Sequence, residues 1–248
     1  IGKEVCMSQS CSEFSPVFLV ASERSGTNLL RKLITQHQNV YFGPPPAHFL
    51  KHLYATEPYY QDGTCMSETG FRAMVQDALN LCYVHWSPWE IKFEVDDVVV
   101  GYEKQYDVYN SIYLSHYLMG EYAKSLGYKS YFCKDNHLFN YVFEIRSFIS
   151  NAKFIYLYRD PRDFALSQKK RTLQTDSIIK IAKMWRNEQE KCISAAFHLG
   201  PDSITFLSYE ELISDPSRQI KRVCDFLGVE FRDEASDTPV MNGPIVTK

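Results

Sequence analysis

The chain has 248 residues and a formal net charge of −3, and 45% of its residues are hydrophobic and 15% aromatic. This size and composition allow a sizeable core, so we expect a single domain over residues 16–248 that follows a flexible arm over residues 1–15. The weakly acidic balance argues against nucleic acid or a membrane surface as a partner. Any site for a polyanion must therefore be a local cluster of basic residues.

The sequence contains no run of about 18 apolar residues, and no basic region followed by a long apolar one at its start. Its seven cysteines are odd in number and widely spread, and Cys82, Cys192 and Cys224 lie in apolar or helical runs, where a reduced cysteine is an ordinary core residue. We therefore expect a cytoplasmic protein. Because the sequence begins at Ile1, the alternative is a lumenal domain whose anchor has been removed. No pattern predicts the oligomeric state.

The first candidate site follows the apolar run at residues 17–21. That run is too short for a buried helix, and an apolar pattern with helical period starts at Leu29, so we predict a strand, a loop and a helix. Free backbone N–H groups at a helix start bind anions, and Gly26 lets the backbone come close to a ligand. The other side chains of the loop are Arg24, Ser25, Thr27 and Asn28. The alternative interpretation is an ordinary tight turn.

This loop differs from the phosphate loop of nucleoside triphosphatases. That motif needs a lysine and then serine or threonine after its second glycine. Here Thr27 follows Gly26 directly, and the basic residue Arg24 stands two positions before the glycine.

The rest of the chain alternates between helical and strand patterns. Helical spacing is found at residues 71–83, 111–126 and 137–149, and strand patterns at residues 130–134 and 154–158, whereas residues 59–69 resemble a loop. We expect a left-handed helix cap at Gly127. The alternation predicts an α/β fold with a parallel β-sheet between two layers of helices. Ligands bind such sheets at the carboxyl ends of the strands, where Arg24, Lys134 and Arg159 are expected.

A second candidate site begins at Arg159. Asp160 is a suitable N-cap and Pro161 a suitable first helical residue, so a helix is predicted to start here with its positive end toward the strand terminus. Ser167 lies two turns into that helix, and Arg171 lies on the same face. The alternative is a well-capped surface helix with ordinary charges.

Three motifs occur in order: Arg-Ser-Gly-Thr-Asn-Leu-Leu at residues 24–30, Arg-Asp-Pro-Arg-Asp with a later Leu-Ser at residues 159–167, and Leu-Ser-Tyr-Glu-Glu-Leu with Asp-Pro and Phe-Leu-Gly at residues 207–228. Together they resemble the sulfotransferases that use 3′-phosphoadenosine-5′-phosphosulfate (PAPS), over roughly residues 16–230. The resemblance implies a P-loop NTPase-like sulfotransferase fold. It also implies sulfuryl transfer to a hydroxyl or amine of a small-molecule acceptor, with 3′-phosphoadenosine-5′-phosphate (PAP) as product and no metal.

The resemblance assigns roles to individual residues. Residues 24–28 would surround the 5′-phosphosulfate, and Tyr209 would lie near the adenine. The residues that would hold the 3′-phosphate are Arg159, Ser167 and Arg171. Two alternatives remain open: a small-molecule kinase with a degenerate phosphate loop, and a non-catalytic nucleotide-binding protein.

The group that takes the acceptor's proton is left open. His48 follows a proline-rich turn in a region where related enzymes often place a catalytic glutamate, His137 follows Lys134, and His85 is a weaker third candidate. Lys134 either stabilises the transferring sulfuryl group or forms an ion pair. The aromatic residues between positions 83 and 117 are expected to contribute both to the core and to the acceptor pocket.

Overall fold

The computed structural model describes residues 14–84, 87–170 and 177–233. Most of the predicted arm, together with the candidates His85 and Arg171, lies outside these ranges. Among the described residues, no helix combines the length and the apolar character that crossing a lipid bilayer requires.

Seven strands form a five-stranded sheet and a short hairpin in the ranges described. In chain order the strands are β1 (Val17–Ala21), β2 (Tyr41–Phe42), β3 (Gln61–Asp62), β4 (Cys65–Met66), β5 (Ser130–Cys133), β6 (Lys153–Tyr158) and β7 (Ile204–Ser208). The main sheet has the order β2-β5-β1-β6-β7, and all its pairs are parallel. Strands β3 and β4 pair antiparallel as the separate hairpin.

Nine α-helices pack around the sheet in the described part of the chain. They are α1 (Thr27–Gln36), α2 (Glu68–Val84), α3 (Val95–Glu103), α4 (Ser111–Ser125), α5 (Val142–Phe148), α6 (Pro161–Lys169), α7 (Ile178–Leu199), α8 (Tyr209–Ser214) and α9 (Pro216–Leu227). A π-helical turn covers Leu50–Tyr54, and 3₁₀ turns cover Glu57–Tyr60 and Leu138–Asn140.

The sheet is the middle of three layers, as predicted. Every residue of β1 is buried, which is expected of a parallel strand covered on both faces. Phe18 and Val20 join the larger core, which contains buried residues of α2, α3, α4, α5 and α7. Val17 and Leu19 join the second core, which contains buried residues of α1, α8 and α9. Layers on both faces leave the strand ends as the accessible part of the sheet.

Most predicted elements are confirmed, and two predictions are wrong. The helix predicted over residues 137–149 is interrupted, because His137 adopts a left-handed backbone (φ 62°), a 3₁₀ turn follows, and α5 starts only at Val142. The region predicted as a loop, residues 59–69, contains the β3–β4 hairpin. The cap prediction holds, since Gly127 is left-handed (φ 82°) at the end of α4.

Candidate functional site

A cleft of about 370 Å³ lies at the carboxyl ends of β1, β5 and β6. It is lined by Glu23, Arg24, Gly26, Thr27, Asn28, Leu29, Pro46, His48, Lys134, Asn136, Arg159, Ser167 and Tyr209. Most of the predicted site residues are thus brought together in one place. Of the others, Ser25 is buried beneath the loop, His137 lies beside the cleft next to Glu23, and Arg171 is outside the described residues.

The loop after β1 presents the start of α1 to the cleft. Gly26 has φ 89° and is the N-cap of α1, which has no side-chain cap and no acidic residue in its first turn. The helical hydrogen bonds begin with Leu30 N–H donating to Gly26 O (3.1 Å). The earlier N–H groups of the helix therefore have no partner within it, and they carry the positive end of the helix dipole. This arrangement suits an anion.

Arg24 and Arg159 meet at this loop. The Arg159 guanidinium donates from Nη1 to the backbone O of Arg24 (2.8 Å). The Arg24 guanidinium in turn donates from Nε to Ser167 Oγ of α6 (3.1 Å). The two motifs, 135 residues apart in sequence, thus form one cationic wall. Such forked donors bind phosphate and sulfate oxygens with defined geometry.

Tyr209 forms the floor between Arg159 and Gly26. The Arg159 guanidinium carbon lies 4.3 Å from the centre of the Tyr209 ring, a cation–π contact. The ring also packs on Gly26 so closely that a Cβ at that position would lie 2.3 Å from Tyr209 Cδ2. Glycine is required at position 26 both by its positive φ and by this contact.

We expect Gly26→Ala to destabilise the protein and to weaken PAP binding. A left-handed alanine costs about 1–2 kcal/mol, and displacing the Tyr209 ring adds about 1–3 kcal/mol. Gly127→Ala is the matched control, because Gly127 also has a positive φ (82°) but a Cβ at that position would meet no other atom within 4 Å. Urea unfolding and PAP titration of both variants measure the difference. Equal destabilisation, with equal PAP affinity, would show that the Tyr209 contact is unimportant.

Two buried donors in this region have no hydrogen-bond partner among the described residues. They are Ser25 Oγ and Arg159 Nε. Buried polar groups are normally satisfied, and an unsatisfied one has an energetic cost. Arg159 lines the cleft, so an anion with several oxygens bound there is a suitable partner for its Nε. The residues present thus fit a phosphate-containing ligand.

Lys134 projects from the end of β5 into the same cleft. It is 8% exposed, and its Nζ donates to Asn136 Oδ1 (3.0 Å). Burial lowers the pKa of the Lys134 ammonium, while the carboxylates of Asp135 and Glu23 act in the opposite direction. The lysine is therefore oriented by a neutral amide and stays available to an anion.

His48 lines the cleft in a left-handed conformation (φ 57°). The backbone N–H of Asn136 donates to His48 Nδ1 (3.3 Å), so the neutral ring carries its proton on Nε2. Phe49 N–H donates to Asp135 Oδ2 (3.1 Å), which holds this turn against the end of β5. Burial raises the pKa of the Asp135 carboxyl group. In this tautomer His48 acts as a donor from Nε2 rather than as a proton acceptor.

His137, the other histidine candidate, contacts Glu23. Its Nε2 lies 3.3 Å from Glu23 Oε1, and the same oxygen accepts a hydrogen bond from Asn136 Nδ2 (3.0 Å). Sequence reasoning missed Glu23 and Asn136. The available signal was position alone, because Glu23 directly precedes the loop at residues 24–28 and Asn136 follows the strand that ends before Lys134.

Backbone strain is concentrated here. Within the described ranges, the non-glycine residues with positive φ are Arg24, His48 and His137. Such conformations are costly for these residue types and persist where the surrounding structure enforces them, most often at functional sites.

Glu210, also missed, holds α6 and α8 together. Its carboxylate accepts from the backbone N–H of Asp160 (3.0 Å) and from Ser208 Oγ (2.9 Å). Asp160 caps α6 as predicted, accepting from Arg162 N–H (2.8 Å), with Pro161 as first helical residue. Glu210 therefore fixes the strand-to-helix junction that carries Arg159.

The aromatic residues between positions 83 and 117 that the structure describes do not line this cleft. Tyr106, Tyr113 and Tyr117 line a separate pocket of about 110 Å³, so their contribution to an acceptor pocket stays a prediction. Trp89, Tyr102 and Tyr113 are buried in the larger core instead. Trp89 supports the site from behind, because its Nε1 donates to Pro45 O (2.8 Å) in the proline-rich turn. Their large ring areas favour burial.

No group of three or more His, Cys, Asp or Glu side chains in the described ranges is arranged to hold a metal ion. The cysteines described are free thiols, and Cys82, Cys192 and Cys224 are buried as expected.

Comparison with known proteins identifies the family. The family model described as "Sulfotransferase family" matches residues 16–233. Cytosolic sulfotransferase 17 of Arabidopsis thaliana is 28% identical over 109 residues, which cover 37% of this chain and 31% of that protein. The match thus spans about a third of the length of this curated relative.

Two solved structures share the fold. A sulfotransferase domain from the curacin biosynthetic pathway has a TM-score of 0.57 at 19% identity, covering 94% of this chain and 81% of that chain. A sulfotransferase domain from the Synechococcus PCC 7002 olefin synthase has a TM-score of 0.56 at 21% identity, covering 92% and 81%. The predicted fold, a parallel sheet between helical layers as in P-loop-like sulfotransferases, is confirmed. With the family model matching residues 16–233, the chain belongs to the sulfotransferase family.

Proposed function

We propose that the chain is a PAPS-dependent sulfotransferase that transfers a sulfuryl group to a hydroxyl or amine of a small-molecule acceptor by in-line displacement. One observation carries the proposal. Arg24 and Arg159, from motifs far apart in sequence, contact each other at the unpartnered start of α1 in a single cleft. That arrangement supports a ligand with two separated anionic groups, as in PAPS.

Each part of the nucleotide has candidate partners. Residues 24–28 and the first turn of α1 would hold the 5′-phosphosulfate, and Arg159 and Ser167 the 3′-phosphate. Arg171, which lies outside the described residues, is proposed for the same phosphate. The Tyr209 ring, already stacked under a guanidinium, would lie near the adenine.

When bound, PAPS supplies the sulfuryl group and a stable bisphosphate leaving group. The residues of the chain supply position and charge, which carry most of the rate in transfers of this type. Arg24 and Lys134 would face the oxygens where negative charge grows, and the helix start would stabilise the departing phosphate. With these cations in place, we propose that catalysis needs no metal.

The cleft volume of about 370 Å³ falls in the range of small-molecule sites. Its lining combines the donors above with Pro46 and Leu29. This favours a small acceptor that approaches from the side of Glu23 and His48.

Calorimetry and an activity assay test this function. We expect PAP to bind in buffer containing EDTA, with the same affinity when Mg²⁺ is added. We further expect transfer of ³⁵S-sulfate from labelled PAPS to some members of a panel of alcohols, phenols and amines. Binding of ATP that depends on Mg²⁺, without PAP binding, would instead indicate a kinase. PAP binding without transfer to any acceptor would favour a non-catalytic nucleotide-binding protein.

A further inference from the structure

We propose that Glu23 is the catalytic base that takes the proton of the acceptor, with His137 and Asn136 holding its carboxylate in place. This inference rests on the proposed function and adds a residue to it. Glu23 lines the cleft, whereas His137 does not.

The other candidate groups are less suited to accept the proton. His48 Nδ1 accepts a backbone hydrogen bond (3.3 Å), so its neutral ring offers the cleft a donor at Nε2 and no acceptor nitrogen. His137 directs Nε2 at Glu23 Oε1 (3.3 Å). Lys134 is a donor to Asn136. Among these side chains, Glu23 carries a carboxylate and lines the cleft, as a general base for the acceptor requires.

The Glu23 carboxylate is held by Asn136 and His137. Its Oε1 accepts from Asn136 Nδ2 (3.0 Å) and faces His137 Nε2 (3.3 Å). These two contacts orient the carboxylate. Ser22, the preceding residue, is fully buried and accepts from Gln189 Nε2 (2.7 Å) of α7. The backbone that carries Glu23 is therefore anchored at the preceding residue.

Glu23 lies among groups of both charge signs. Within the described ranges, the titratable or charged groups near Glu23 include Lys134 and His137 from the segment after β5, His48 across the cleft, Glu188 of α7 and its own neighbour Arg24. Burial raises the pKa of the Glu188 carboxyl group. The positive charges of Lys134 and Arg24 offset the repulsion between the Glu23 carboxylate and a nearby sulfuryl group, which is itself anionic.

In the proposed reaction, the proton of the acceptor passes to Glu23. The acceptor O–H or N–H bond breaks and its proton passes to a Glu23 oxygen. The freed electron pair of the acceptor forms the new bond to sulfur, and the bond from sulfur to the 5′-phosphate breaks, with its electron pair leaving on the phosphate. Glu23 and Arg24 both line the cleft, so the proton acceptor and the group that would bind the sulfuryl oxygens face the same space.

Glu23→Gln tests the proposal, because glutamine preserves shape and a hydrogen-bonding group but is not a base. With an alkyl alcohol acceptor, we expect kcat to fall about 10²- to 10⁴-fold, the usual contribution of a general base. With 4-nitrophenol, which ionises near neutral pH without help, the loss should be much smaller. The fall in kcat/KM on the acid side of the wild-type pH profile should also disappear.

Glu190→Gln is the matched control. Glu190 is exposed on α7 and pairs with Arg186 Nε (3.1 Å). The activity and pH profile of Glu190→Gln should therefore equal those of the wild type. His137→Gln should cost less than Glu23→Gln, because it removes only an orienting donor. A larger loss in His137→Gln would identify His137 as the base and overturn the proposal.

PAP calorimetry separates this inference from the proposed function. Glu23→Gln should bind PAP as tightly as the wild type or more tightly, since a negative charge has been removed from a site for a polyanion. Two results would show that Glu23 has only a structural role and would overturn the proposal. One is loss of PAP binding in Glu23→Gln, and the other is an equal loss of kcat with the alkyl alcohol and with 4-nitrophenol. Absence of PAP binding in the wild type would instead refute the proposed function.

Discussion

Replacing Arg24 by alanine should lower kcat about 10²- to 10³-fold, comparable to the loss of one donor from an oxyanion hole. Arg24 is the cation nearest in sequence to the start of α1, its Nε is held by Ser167 (3.1 Å), and its backbone is left-handed (φ 68°). These constraints fix the guanidinium before any ligand arrives. The interaction of the Arg24 guanidinium with the phosphosulfate oxygens should therefore be stronger in the transition state, where these oxygens gain negative charge, than in the complex with PAPS.

Arg24→Lys is the informative companion variant. It retains the charge but loses the planar fork that reaches Ser167, so we expect an intermediate kcat. Steady-state kinetics with labelled PAPS measure both variants. A kcat within a few fold of wild type for Arg24→Ala would remove Arg24 from the mechanism.

Arg159→Ala should mainly weaken nucleotide binding. Hydrogen bonds to charged groups contribute about 1.5–3 kcal/mol each, and about 1.4 kcal/mol corresponds to a tenfold change in affinity. Loss of the proposed 3′-phosphate contact, together with the support Arg159 gives to Arg24 O (2.8 Å), should raise the Kd of PAP about 10²-fold. The KM for PAPS should rise similarly, with a smaller effect on kcat.

Arg162→Ala is the control for this effect. Arg162 lies in the same segment, but its side chain is 87% exposed and pairs with Asp160 (2.7 Å). Exposed ion pairs contribute about 0–1 kcal/mol, so its PAP affinity should change less than about fivefold. Equal losses in Arg159→Ala and Arg162→Ala would indicate a general effect of positive charge rather than a specific phosphate contact.

Features of the site that depend on residues close together in the chain were predictable from the sequence. The loop at residues 24–28 follows from a short apolar run, a glycine and a helical period. The start of α6 follows from Asp160 and Pro161, whose capping preferences act within one turn. The parallel sheet followed from the alternation of elements, and it placed Arg24, Lys134 and Arg159 at one edge.

Contacts between distant segments were not predictable in this way. Glu23 meets Asn136 across 113 residues, and Glu210 meets Asp160 across 50 residues. No local pattern distinguishes these carboxylates from exposed ones. The interruption of the predicted helix at His137 has the same origin, because the contact with Glu23 accompanies a backbone conformation that a continuous helix excludes.

The most direct test of the account is a crystal structure of the protein with PAP. We expect the 5′-phosphate at the first turn of α1 within hydrogen-bond distance of Arg24, and the 3′-phosphate of the same molecule in contact with Arg159 and Ser167. A nucleotide bound elsewhere, or one with a single phosphate in this cleft and the other directed away from Arg159, would contradict the account.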